Sequence, residues 1–269
     1  MTKMTRLGTV IGSWVLAATV TAAQGVSPVV RSELAPTGTL RAGINFNNPL
    51  LAQRDPATGE LRGVAVDLSR ELARRVGVPV QLLPYDAAGK MTDAVKSGAW
   101  DVAYMAIDPQ RANDIDFTAA YADLEGTYLV PAGSPLRRIE DVDQDGIRIA
   151  VTTGSAYDLF LTRELKRAQL VRAVNTPASL ELLVSGRLDA AAGVRTALVT
   201  AARTLPGAQV LSGHFMTIPQ AAGIPKGRPA AIRYLREFIE DVKASGFVAD
   251  ALKRHGLTVD DAIVAPAER

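Results

Sequence analysis

The chain of 269 residues contains no cysteine, and that absence removes several classes of function. Thiol nucleophiles, disulfide frameworks and cysteine-ligated metal centres are excluded outright. No cysteine exists to carry a lipid, and a chain exported without disulfides must be held by its core alone, which this length permits. Histidine is nearly as scarce. His214 and His255 lie in different segments with no shared metal-ligand spacing, and both read as surface or packing residues. No metal site and no cofactor are expected. A large excess of charge of one sign is also missing, since 30 Lys and Arg face 28 Asp and Glu.

Long hydrophobic runs are confined to the beginning. Lys3 and Arg6 precede a mostly apolar run from Leu7 to Val20, and "TAAQG" offers small residues for cleavage after Ala22 or Ala23. Residues 1–23 are therefore expected to be an export signal. A single membrane anchor is the alternative, but Gly8, Thr9, Gly12 and Ser13 weaken a run already short of the about 20 apolar residues of a bilayer span. Setting Lys3 and Arg6 aside leaves 28 basic residues against 28 acidic ones. Such a balance argues against nucleic acid as a main partner. The expected location is the periplasm, as a free protein rather than a lipoprotein.

Apolar residues make up 48% of the chain, enough for cores of ordinary size. After a flexible lead, "TLRAGI" reads as a strand and "DPATG" as a turn. Val66, Leu68, Leu72, Ala73 and Val76 recur at helical spacing, and Gly77 ends that helix. "VQLLP" is a second strand, "MTDAVKSG" a short helix and "WDVAYMAI" a buried third strand. "LEGTYLVPAGSPLRRIEDVDQDG", residues 124–146, reads as a crossing into a second lobe. There "IRIAVTTGSAYDLFLTREL" gives strand, turn and helix, and "LVRAVN" a strand. "TPASLELLVSG" is a helix with Thr176 as N-cap, and "RLDAAAG" a strand before the helix "VRTALVTAARTL". "MTIPQAAGIPKG" suits a return crossing, and the C-terminal region is helical with a break at Gly246.

Alternating strands and helices point to an α/β fold with parallel sheets, here in two lobes joined by two crossings. The lobes are expected at residues 36–130 with 222–269, and at 131–221. Open α/β sheets bind ligands beyond the carboxyl ends of their strands, so a cleft between the lobes is the expected site.

Two strand-end turns stand out. In "YMAIDPQRAND", Asp108 is placed as an N-cap and Arg111 falls in the first helical turn. A cation there opposes the helix dipole by about 0.3 to 1 kcal/mol, which a nearby anion would offset. A local pair of Asp108 with Arg111 is the plainer alternative. In "AVTTGSAYDLF", Gly154 and Ser155 open a helix whose first N–H groups suit an anion; simple capping by Ser155 is the alternative.

The order of "GTLRAGINFNNPLL", "DPATGELRGVAVDLSRELARRVG", "MTDAVKSGAWDVAYMAIDPQRANDIDFTAAY", "IRIAVTTGSAYDLFL" and "ASLELLVSGRLDA" resembles the type II periplasmic solute-binding proteins of ABC importers, family 3, from about Gly38 to Gly256. The resemblance implies a bilobed protein that closes on a small solute and presents it to a membrane permease. In the amino-acid binders of that family, an arginine corresponding to Arg111 grips the α-carboxylate, and a "GT" pair corresponding to Gly154 and Ser155 meets the same group. Bidentate guanidinium pairing rationalises the first contact.

Departures from that pattern shape the expected ligand. The usual threonine of the arginine motif is Asp108, and a frequent hydroxyl residue is Ala106. The aspartate that holds the α-ammonium, five residues beyond the "DA" aspartate, falls on Val194. A buried ammonium without an anionic partner is costly. Either Asp108 supplies that charge, or the ligand is an organic acid without an ammonium, met also by Arg195. For Arg195 a solvated place on the next helix is the alternative, and for Asp108 capping is. Phe46, Asn47 and Asn48 after the first strand, Tyr85 after the second and Gln220 at the return crossing complete the candidates.

The expectation is a monomeric, non-enzymatic binding protein for a small carboxylate, working with an inner-membrane ABC permease. A polar amino-acid binder and an enzyme resembling cyclohexadienyl dehydratase, with Asp108 as its acid or base, are the alternatives. A sensor module acting on a receptor carried by another chain is a further one.

Overall fold

The computed structural model describes residues 26–49, 51–185, 187–258 and 262–267. The export-signal reading of residues 1–23 lies outside them. The stretch read as a flexible lead holds a helix, α1 (Pro28–Leu34). Ser27 caps it, Pro28 occupies its first position, and Val30 and Leu34 one turn apart are buried.

Strand β1 (Leu40–Asn45) is followed by the hairpin of β2 (Gln53–Arg54) and β3 (Leu61–Arg62), which encloses the "DPATG" turn. Helix α2 (Val64–Val76) ends where Gly77 turns left-handed at φ 73°. Then come β4 (Val80–Tyr85), α3 (Ala88–Asp93) with a 3₁₀ turn to Ser97, and β5 (Val102–Ala106). β1 runs parallel to both β4 and β5, as the alternating pattern implies.

After β5 the expected helix reduces to a single 3₁₀ turn, Arg111–Asn113. Strand pairing overrides the helix signal: β6 (Ile115–Val130) starts at once and pairs from Ile115 to Gly126 with β11 (Met216–Pro225). The outward crossing is thus one 16-residue strand. The polar stretch after Val130 does not lie between the halves, because its Leu136 and Val142 are buried in the second core.

The second half repeats the plan with β7 (Arg148–Thr152), α4 (Ala156–Glu164), β8 (Gln169–Ala173), α5 (Thr176–Ser185), β9 (Ala190–Val194), α6 (Arg195–Ala202) and β10 (Gln209–Val210). The cap of α5 is Asn175, whose Oδ1 accepts from the Ala178 N–H at 3.0 Å, one residue before the expected Thr176. The chain returns through β11 to α7 (Pro229–Ala244), α8 (Phe247–Arg254) and β12 (Ile263–Val264).

Strand order is β4-β1-β5-β11-β6-β9-β7-β8. Each half has three parallel strands with the first in the middle, and the antiparallel pair β6 and β11 joins them. Alternate residues serve opposite faces: Ala42, Ile44 and Tyr104 point into the core shared with α2 and α7, while Ala103 and Met105 pack on Met91 and Trp100. In the second half Ile149 and Val151 face Tyr128 and Leu161, whereas Ala150 and Ala191 face Leu183 and Leu198. Burial on both faces explains why "DAAAG" has no polar position after Asp189.

Candidate functional site

The carboxyl ends of β1, β5 and β7 converge on a cleft of about 60 Å³. Arg111 forms its floor. Its side chain leaves the turn after β5 and is 2% exposed. Nη1 donates to the Ala106 carbonyl at 3.0 Å and Nη2 to the Gly154 carbonyl, in the other half, at 2.9 Å. Nε is buried without a partner among the described residues. Burial pulls the guanidinium down to about 10, while the Asp108 charge nearby acts the other way. Even so the group is cationic at neutral pH, and no carboxylate accepts a hydrogen bond from it among the described residues.

The opposite wall is built at the start of α4. Gly154 takes φ +68°, the left-handed turn that lets β7 feed α4, and Ser155 Oγ accepts from the Asp158 N–H at 3.1 Å. The Gly154 N–H is committed to Asp158 Oδ2 at 2.8 Å, so Gly154 serves the site through its carbonyl rather than as an anion donor. Tyr157 lines the same wall, with its hydroxyl close to those of Thr152, Thr176 and Ser155. Chiefly burial raises its pKa, so the phenol is neutral.

Of the residues expected from the sequence, Arg111, Ser155, Asn47, Asn48, Val194 and Gln220 line this cleft. Gly154 lines a neighbouring cavity that shares Ala87 and Arg111 with the cleft. Asp108, Phe46, Tyr85 and Arg195 line neither. Asp108 is turned away, its Oδ1 accepting from the Gln110 N–H at 2.8 Å and its Oδ2 paired with Arg163 at 3.0 Å. Phe46 packs on the first core beneath the Arg54 guanidinium, 4.8 Å from the ring centroid. Tyr85 lies with the cluster around Met91 and Trp100, where burial raises its pKa. Arg195 is engaged by Glu125 and by the carbonyls of Leu211 and Gly213 at the crossing strands, outside the cleft lining. His214 Nδ1 sits 3.1 Å from the same Glu125.

The structure adds cleft residues that the sequence reading passed over: Asn45, Thr152, Tyr157 and Thr176 among the polar ones, Leu51, Met91, Met105 and Ile218 among the apolar. Strand-end position was a usable signal for Asn45 and Thr152. Met91 and Met105 carried none beyond their apolarity. Among the described lining residues no Asp, Glu, Lys or His occurs, so Arg111 is the sole charge of the cleft.

A family model described as bacterial extracellular solute-binding proteins, family 3, matches residues 40–258. The ABC transporter glutamine-binding protein GlnH of Bacillus subtilis (strain 168) is 21% identical over 216 residues, 79% of each chain. The L-cystine-binding protein TcyJ of Escherichia coli (strain K12) is 24% identical over 213 residues, 78% of this chain and 79% of that protein. Among solved structures, the solute receptor for L-cysteine of Neisseria gonorrhoeae superposes with a TM-score of 0.75 at 21% identity, covering 88% of this chain and 99% of that one. The two halves are accordingly the lobes of a type II periplasmic binding protein fold. The match across residues 40–258 places the chain in the bacterial extracellular solute-binding proteins, family 3.

Proposed function

We propose that this protein is the exported, periplasmic solute-binding component of an ABC importer, and that its solute is a small carboxylate lacking an ammonium group. One observation carries the reading: Arg111 is a buried cation with an unpartnered Nε and is the sole charge lining the cleft among the described residues. A buried charge calls for a partner of opposite sign, and a carboxylate meets a guanidinium through paired hydrogen bonds. The hydroxyls of Thr152, Tyr157 and Thr176 then offer neutral donors and acceptors, while Met91, Met105 and Ile218 favour an apolar portion of the solute.

The names of GlnH and TcyJ support a second reading, in which the solute is an amino acid and those hydroxyls together with Gln220 accept from its ammonium. An enzymatic role has less support, because Asp108 is paired with Arg163 and the described lining residues offer no acid or base of ordinary pKa. Delivery to a permease, a monomeric state and lobes at residues 36–130 with 222–269 and at 131–221 belong to the same proposal, with α1 added to the first lobe.

A thermal-shift screen tests it, since a solute that binds the folded state raises the melting temperature by mass action. Small carboxylates are expected to shift the melt, and Arg111→Ala to abolish the shift. Strong shifts confined to amino acids would favour the second reading, and a carboxylate shift that survives Arg111→Ala would remove Arg111 from the site.

A further inference from the structure

Asp108 stands where the sequence made it a candidate for the ligand or for a cap; the structure keeps it as a cap, through the Gln110 N–H, and adds a partner across the lobes. Its side chain is 4% exposed and pairs with Arg163 at 3.0 Å. Arg163 belongs to α4, in the other lobe. Asp108 also holds the turn that carries Arg111: its carboxylate accepts from the Gln110 N–H at 2.8 Å and its carbonyl from the Ala112 N–H at 2.9 Å. Arg111 itself makes no hydrogen bond to Asp108 and is tied to two carbonyls, one in each lobe. The lobes also meet at backbone level, where a Cβ placed on Gly89 would come within 2.7 Å of the Thr153 carbonyl oxygen.

A carboxylate so thoroughly desolvated requires a cation. Arg163 pairs with it from the opposite lobe, and Arg111 of its own lobe feels its charge without a direct contact. We propose that Asp108 and Arg163 form an interlobe latch that exchanges counter-ions on closure: Arg163 takes over the charge of Asp108 and leaves that of Arg111 to the solute. Asp108 and Arg163 are thus positioning residues. With the lobes apart, Asp108 attenuates Arg111; with the lobes together, the cleft acquires its full positive charge only as it shuts. This goes beyond the choice of solute and rests on the reading that the lobes part to admit one.

The lack of native cysteine makes closure measurable. Asn175 approaches Asp86 across the lobes closely enough to lower its pKa, so a chain carrying Asp86→Cys and Asn175→Cys forms its disulfide in proportion to the closed population. Oxidation by glutathione disulfide, without added solute, is followed by gel mobility. Arg163→Gln is expected to slow crosslinking about tenfold, because Asp108 is then buried without its partner. Arg163→Lys, which keeps the charge, retains most of the rate. Asp108→Asn combined with Arg163→Gln restores it, since asparagine can still accept from Gln110 and no buried charge remains. An unchanged rate in Arg163→Gln, or a double variant as slow as the single one, would overturn the latch. Because no solute is present, this result is separate from the Arg111→Ala screen, which can fail on its own.

Discussion

In the proposed reading, Val194 is the residue on which the choice of solute turns. It lines the cleft, half-buried, at the start of α6, with φ −67° and ψ 132° in the N-cap position. An isopropyl group there contributes no acceptor, whereas aspartate is among the preferred residues for such a cap. Val194→Asp should therefore fold and add an anion beside the cleft. Calorimetric titration is expected to show about tenfold tighter binding of L-glutamine and weaker binding of simple carboxylates, following the strength of a charge-assisted bond. No gain for the amino acid would mean that position 194 does not face the ammonium side of the solute. The neighbouring Arg195 shows the limit of adjacency along the chain. Gly126 pairs with Val194 across β6 and β9, and that register brings Glu125 to Arg195. Nothing local in "GVR" announces a partner 70 residues earlier.

At the scale of elements, most strands and helices were legible because each carried its own period or stop signal. α2 has its helical stripe and Gly77, and β9 its apolar run. What the sequence obscured were elements settled by distant pairing. The turn at Arg111 carries helix signals in Asp108 and Pro109, yet Ile115 to Phe117 pair with Gly223 to Pro225, and the strand prevails. The hydroxyl wall was equally hidden, since Thr152, Tyr157 and Thr176 come from β7, α4 and α5 and meet only when the second sheet forms. The approach of α3 to the β7–α4 turn makes its own prediction. Gly89 has an ordinary helical setting, so Gly89→Ala should leave the melting temperature of the solute-free protein unchanged or slightly higher. Its Cβ would nevertheless lie 2.7 Å from the Thr153 oxygen when the lobes meet, and solute affinity should fall about tenfold or more. Equal affinity in the variant would show that binding does not need this contact.

Across the whole molecule, two cores are joined through β6 and β11, and the cleft lies where the strand ends of both lobes face each other. The lobed plan was readable from the repeated strand and helix order; the unbroken length of β6 was not, because its interior "ADLEGTY" mixes polar and small residues. In the proposed reading, function follows from the balance of charge between the lobes. One brings Arg111 on a turn held by Asp108, the other brings Arg163 to that aspartate and a wall of neutral hydroxyls to the solute. The central claim is that this cleft is complementary to a negative charge and has no counterpart for a positive one. Matched pairs that differ only by the ammonium test it most directly: L-glutamine with glutaramate, L-leucine with 4-methylpentanoate, and L-phenylalanine with 3-phenylpropanoate, each titrated by calorimetry into the solute-free protein. Within each pair that binds, the acid without the ammonium is expected to bind more tightly; tighter binding of the amino acids would refute a cleft built for a lone negative charge.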